Sequence, residues 1–281
     1  MGSVDPLLVL FRREVVKWVK RKPVLLVSLS TPIFWIALFG KSFNLLNLLQ
    51  TAGLDVDPGI ADALRRAMVS VVERVFGTTD YFTYVATGML AVFALFQSMF
   101  GAVGVVFERR IGYLTRLLVA PIPRFSIFFS KVLGTLFRIT VLSLILLLVA
   151  SMMGLKLKQG IGVVDLVMAW IVLMLLSLGL SSVFTGMAFN ITNQEVLFAL
   201  ANLVNLPLMF SSSALFPLEQ MPSWLKSVAQ VNPISHTADL IRYYLIGKSI
   251  EPSSQFLYLT VLTVILVFIG YVAALRGMRE A

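Results

Sequence analysis

Residues 82–124 read "FTYVATGMLAVFALFQSMFGAVGVVFERRIGYLTRLLVAPIPR". From Phe82 to Phe107 there is no charged side chain. A bilayer core about 30 Å thick needs about 20 apolar residues of helix, so this run predicts a membrane span. Charge then returns abruptly with Glu108, Arg109 and Arg110, followed by Arg116 and Arg124. Pro121 and Pro123 fix the backbone just before the next apolar run begins. The stretch therefore encodes two membrane helices joined by a short basic segment, 108–124, part helical and part proline-locked.

Composition extends this reading to the whole chain. Of 281 residues, 58% are hydrophobic and 13% charged, against about 45–50% and about 25% in soluble domains. One globular core cannot hide such an excess, so the solvent is lipid. The fold class is all-α: a polytopic protein with a single transmembrane domain over residues 1–281. Apolar runs predict six spans near 24–43, 82–107, 126–154, 161–189, 195–213 and 255–275. Pro32 in the first is tolerable as a kink. Lys131 and Arg138 open the third, and both are expected to snorkel toward one interface.

Three further segments border the spans. Residues 5–22 begin with Asp5 and Pro6, a cap and first turn. Leu7, Leu8, Phe11, Val15 and Trp18 then recur at helical spacing, with Arg12, Arg13, Lys17, Lys20 and Arg21 elsewhere on the wheel. This predicts an amphipathic helix at the membrane interface, in contact with lipid. Residues 59–77 predict a second amphipathic helix, on the outer face. Residues 214–250 hold Pro217, Pro222 and Pro233 between short amphipathic pieces. They are too broken to span and too apolar for a solvated loop. They predict a re-entrant pair of short helices capping the outer end, then a helix around Thr237–Ile246.

The formal net charge is +9, but the cations cluster at span ends. That points to membrane orientation and anionic headgroups, with no nucleic acid as partner. The amino-terminal segment, the 108–124 connector and the tail with Arg276 and Arg279 fall on one side of a six-span chain, so both termini are expected in the cytoplasm. A cleaved leader is not expected, because the first apolar run starts only after about 22 residues and lacks a small-residue cleavage site. The chain has no cysteine, which excludes disulfides, thiolate metal sites and cysteine nucleophiles.

No catalytic or metal constellation is evident. "GKS" occurs at 40–42 and 247–249, but Trp35 and Arg242 stand where a phosphate-binding loop needs its first glycine. No ATPase activity is expected of this chain. Glu108, Asp165 and Glu195 lie at span ends and Asp239 in the capping region, so no span carries a central acid for a proton relay. His236 is a lone histidine, and a metal site needs several ligands.

Polar side chains within the spans are neutral: Gln97 in the second, Asn202 and Asn205 in the fifth. Two uses stay open for them, bonding helix to helix or lining a substrate path. Gly88, Ala91, Ala94, Ser98, Gly101 and Gly104 form a small-residue stripe for close helix contact. Phe93, Phe96 and Phe100 lie off it, facing either an apolar substrate or lipid.

The segment "ERRIGYLTRLLVAPIPR" resembles the first cytoplasmic loop of ABC-2 type permeases, the membrane subunits of ABC exporters. "NPISHTADLIRYYLIG", residues 232–247, is similar to the family's signature before the last span, through Pro233, Ile234, His236 and Arg242. "SSSALFPLEQMPSWLKSVAQVNP", just before it, looks like family sequence too. The resemblance implies a coupling helix, carried here by Glu108, Arg109, Arg110, Gly112, Tyr113, Leu114 and Arg116, which docks on a separate ATP-binding subunit. ATP and Mg would bind in that partner, with no cofactor on this chain. It also implies a dimer with a second permease copy, a homodimer or a heterodimer. Phe93, Phe96, Gln97, Phe100, Asn202 and Asn205 are then candidates for a central path. The family exports drugs, lipids and polysaccharides, and the apolar interior leans toward an amphipathic substrate. Thr115–Arg116 departs from the pattern, since many relatives carry an acid after the leucine. The charge of the docking surface is therefore not carried over from the family. Two other classes stay open: a gradient-driven carrier or channel that works without an ATPase, and a non-transporting membrane scaffold.

Overall fold

The computed structural model describes residues 5–20 and 80–279, with scattered positions between (28–30, 33, 34, 36–38, 66, 70, 76 and 78). Apart from those positions, the expected span 24–43 and the expected outer helix 59–77 lie outside the described residues, as do residues 21 and 22. No strand occurs among the described residues.

Helix α1, Pro6–Val19, starts where expected: the Asp5 carboxylate accepts from the Leu7 amide at 2.9 Å, and Pro6 takes the first turn. It buries Leu10, Glu14 and Trp18, one residue per turn. Helix α2, Tyr81–Arg110, is capped by Asp80, which accepts from the Phe82 amide and the Thr83 hydroxyl. At 1.5 Å per residue it is about 45 Å long. The short helix α3, Tyr113–Val119, follows after two residues. Helices α4, Arg124–Met152, and α5, Val163–Ala188, are the next long elements. Helix α6, Gln194–Phe210, contains Pro207. A 3₁₀ turn, Leu218–Gln220, precedes α7, Ser223–Gln230, and α8, Pro233–Ile246. The last helix is α9, Pro252–Gly277.

Four helices, α2, α4, α5 and α9, are long and apolar enough to cross a membrane. They overlap four of the six expected spans. Helix α6, the fifth expected span, is shorter, with 17 residues, about 25 Å. The capping region resolves into α7 and α8. Helix α8 starts at Pro233 instead of near Thr237, because Asn232 accepts from the Ile234 amide and Pro233 fits the first turn.

Side-chain contacts show that the long helices run between two ends of one bundle. At one end, Arg109 of α2 donates to the carbonyl of Phe189 after α5, and Asn190 donates to Ala273 of α9. At the other, the Lys156 amide donates to Thr83 of α2, and the Lys158 amide to Leu245 of α8. The first end holds α1, α3 and most of the arginines; it is called here the basic end.

Helix α2 is the hub, and its small-residue stripe packs inward. Ala91, Ala94 and Ser98 are fully buried. A Cβ at Gly88 would clash with the carbonyl of Ala214, and one at Gly101 with Thr135 of α4. A second small-residue seam joins α5 to α9. There Gly186 faces the backbone of Gly270, and a Cβ at Gly270 would strike the Ser182 carbonyl.

Candidate functional site

At the basic end, α2 must turn sharply into α3. Gly112 makes that turn with φ of 70°, the left-handed region that other residues enter only with strain. Helix α3 then seats Leu114 and Leu117, both buried, on the bundle. Pro121 and Pro123 lead out into α4. Arg13 of α1 lies 3.9 Å over the Tyr113 ring, so α1 touches the start of α3 directly.

Beneath this contact sits an ion cluster that joins three helices. Glu108, in the last turn of α2, is 1% exposed. Its Oε1 accepts from Arg13 Nη1 at 2.9 Å and from Lys17 Nζ at 2.8 Å. Its Oε2 accepts from Lys131 of α4. Lys131 also donates to Glu14 of α1 at 2.5 Å. Gly134, one turn along α4, leaves room for the Glu14 stem. Trp18 and Phe11 of α1 meet the Phe137 ring edge-on, extending the α1–α4 contact.

Lys131 therefore does not snorkel, contrary to the expectation. Two carboxylates pair with it inside the protein, which makes a buried ammonium tolerable. Arg138 turns back on its own helix, with Nε donating to the Gly134 carbonyl at 3.2 Å.

The residues expected to form the coupling segment divide into two groups. Glu108 is buried, Arg109 binds the Phe189 carbonyl, and Tyr113 and Leu114 hold α3 in place. Arg110 and Arg116 are exposed, beside Ile111 and Val119. The segment is thus a rooted helix with one free face.

Residues considered for a path do not converge on one surface. Phe93 and Gln97 are buried, Phe96 is half-buried, and Phe100 is exposed, edge-on to Phe198 of α6. Asn205 is fully buried and donates to the Met99 sulfur at 3.4 Å. Its Oδ1 accepts from no group among the described residues. Asn202, three residues earlier, is exposed.

The opposite end is closed by Arg242 of α8, which is fully buried. Its guanidinium lies 3.5 Å over the Tyr84 ring. It donates to the carbonyls of Tyr84 (3.1 Å), Ser213 (2.9 Å) and Ala214 (2.8 Å), and to Asp239 at 3.0 Å. Lys248 also pairs with Asp239 at 3.0 Å, and the Tyr84 hydroxyl donates to Ser213 at 2.7 Å. Non-helical backbone after α6 needs such donors, because lipid supplies none. Pro233 opens α8, and His236 is held by the Gln230 carbonyl (2.8 Å), with its ring 4.4 Å from that of Tyr258. Partial burial keeps the His236 pKa below its ordinary 6.5.

Sequence reading did not anticipate the cluster of Arg13, Glu14, Lys17 and Lys131 around Glu108. The available signal was Glu14 itself, an acid amid six cations that falls on the buried stripe of α1 with Leu10 and Trp18.

Residues 6–246 match the family described as ABC-2 type transporter. The chain is 32% identical over 246 residues to the transport permease ycf38 of Cyanophora paradoxa, covering 85% of this chain and 74% of that protein. It is 29% identical over 154 residues to the doxorubicin resistance ABC transporter permease protein DrrC of Mycobacterium tuberculosis, covering 55% of each. The polysialic acid transport protein KpsM of Escherichia coli is 27% identical over 211 residues, covering 75% of this chain and 78% of KpsM. With its long apolar helices and the rooted helix α3 between two of them, this chain belongs to the ABC-2 type transporter family, as a membrane subunit of an ABC transporter.

Proposed function

We propose that this chain is the permease half of an ATP-driven exporter, with α3 as the element that receives motion from a separate ATP-binding subunit. The observation that carries this reading is the seating of α3. Its inner face is buried through Leu114 and Leu117, its start is clamped by Arg13 over Tyr113, and its outer face is free. A short helix held this way cannot move without moving the ends of α2 and α4. Both termini and α3 then lie in the cytoplasm, following the basic residues at that end. ATP and Mg bind in the partner, and two copies of this chain, or one with a sister permease, complete the pathway.

The substrate is an amphipathic, drug-like, lipid or polysaccharide molecule. The names of the relatives fit this range, since one is a doxorubicin resistance permease and another a polysialic acid transport protein. Asn205, whose Oδ1 has no partner among the described residues, is the path candidate with the most reason to meet a polar group.

The test is purification of the chain from its native membrane in mild detergent, with identification of what comes with it. A stoichiometric ATP-binding subunit, lost when residues 112–116 become a polar linker, supports the reading. A folded chain that brings no ATPase and transports alone overturns it in favour of a gradient-driven carrier.

A further inference from the structure

The free face of α3 carries its own chemical instruction. Ile111 (56% exposed), Thr115, Arg116 and Val119 (84% exposed) line up along the outward side of the turn and helix. Arg110 stands at one end, and Arg124 with Phe125 (48% exposed) at the other. Between residues 109 and 125 there is no carboxylate, and every cation is arginine. Arg110, Arg116 and Arg124 make no ion pair among the described residues. Glu14 and Glu108, at the same end, are buried and already paired with Arg13, Lys17 and Lys131. Among the described residues, no carboxylate pairs with the arginines of this face.

We infer that this face docks into a groove on the ATP-binding subunit with an apolar floor and a rim of carboxylates. The inference rests on the proposed role of α3 and adds the chemistry of the partner's surface. Val119 and Ile111 supply apolar contact, and Arg116, between them, requires an acid. Guanidinium groups match carboxylates as two-pronged donors, which a lysine would not do. The left-handed turn at Gly112 and the prolines at 121 and 123 hold the face in one orientation. A fixed shape favours binding to a shaped protein groove, since less freedom is lost on docking. A fluid headgroup layer gains nothing from that rigidity. Helix α1, with Leu8, Val9, Arg12, Val16 and Lys20 exposed, already offers a membrane-type surface.

The experiment uses the full chain co-expressed with the ATP-binding subunit identified by co-purification. Arg116→Glu and Arg116→Gln are compared with the unaltered chain for the amount of ATPase retained on affinity capture, at low and high salt. A photo-crosslinker at Thr115 identifies the groove residues. The expected result is a loss of about tenfold or more for Arg116→Glu, a smaller loss for Arg116→Gln, and crosslinks to a site bearing Asp or Glu. Exchange of that acid for arginine should restore capture of the Glu variant. Full retention of the ATPase by Arg116→Glu overturns the inference, as do crosslinks to a basic or uncharged groove. Unchanged capture combined with weaker binding to vesicles of anionic phospholipid would assign the face to lipid. If the unaltered chain captures no ATPase at all, the proposed function fails first, and this inference with it.

Discussion

The guanidinium of Arg242 lies 3.5 Å over the ring of Tyr84, joining α8 to the first turn of α2. The same guanidinium holds the backbone of Ser213 and Ala214, where α6 has ended and no regular ladder exists. Lysine cannot replace this fork, because one ammonium does not span three carbonyls in different directions. Arg242→Lys should therefore lower stability nearly as much as Arg242→Ala, by about 3–5 kcal/mol. Thermal denaturation in detergent measures this. A lysine variant that melts with the unaltered chain would show that the carbonyls find other donors.

Glu108 and Lys131 bury opposite charges at the other end of α2. Removing one member strands the other, whereas removing both avoids that mismatch between the two. Lys131→Met should be strongly destabilising, by about 3 kcal/mol, because it leaves both Glu14 and Glu108 short of a partner. Adding Glu108→Gln to that variant should recover part of the loss. A double-mutant cycle measures the coupling, and simple additivity of the two changes would contradict the cluster's cohesion.

Gly112 has open space where a Cβ would stand, so substitution there meets strain without collision. Gly112→Ala should cost about 1 kcal/mol, and Gly112→Asn less, since asparagine tolerates the left-handed region. The functional effect should exceed the stability effect, because the turn sets the angle of α3. The measurement is coupled ATP hydrolysis of the complete transporter beside its melting temperature. Equal hydrolysis in all three chains would remove the turn from coupling.

Gly270 lies against the backbone of Ser182, so even alanine must push α9 away from α5. Gly270→Leu should reduce the yield of folded protein more than any leucine placed on the exposed side of α9, such as at Val264. Gel filtration in detergent would show this, and two equal profiles would mean that the seam is loose.

His236 titrates below its ordinary value because partial burial outweighs the Gln230 carbonyl and Asp239, both of which favour its charged form. A depressed histidine contributes stability that is complete above about pH 6.5 and lost as pH falls through the lowered pKa. Melting temperature should therefore fall as the pH drops below about 6.5, and less steeply in His236→Gln. Parallel profiles would assign the acid sensitivity elsewhere.

What the sequence disclosed depended on the range of the physical signal. The long spans were legible because lipid forces about 20 apolar residues in a row, a local and unambiguous demand. Asp5–Pro6 and Asn232–Pro233 mark helix starts for the same local reason, the second four residues before the expected Thr237. Lys131 is expected to snorkel from its place near a span end, and in the structure it pairs with two carboxylates instead. Its partners, Glu14 and Glu108, come from 117 and 23 residues away, and no local pattern announces them. The α5–α9 seam has a local signal in the sequence. Gly179, Ser182 and Gly186 step by three and four residues, as Gly270 and Gly277 step by seven. Asn202 and Asn205 are close on the wheel, yet one is exposed and the other buried. A 60° difference in direction is enough to cross the edge of a helix contact.

The hub position of α2 has a consequence for how this protein tolerates change. In α2, 72% of the apolar stretch is buried inside the chain, against 17% in α9. In α9, most side chains need only be oily, since one hydrocarbon neighbour is as good as another. In α2, most must also have the right size, because each fits a fixed counterpart. The two helices look equally greasy on the page, but a library of random apolar replacements would pass through α9 largely unharmed outside its seam with α5 and be rejected along α2. The chain's structural information is concentrated in its innermost helix, and its outermost one is closer to solvent-matched filling.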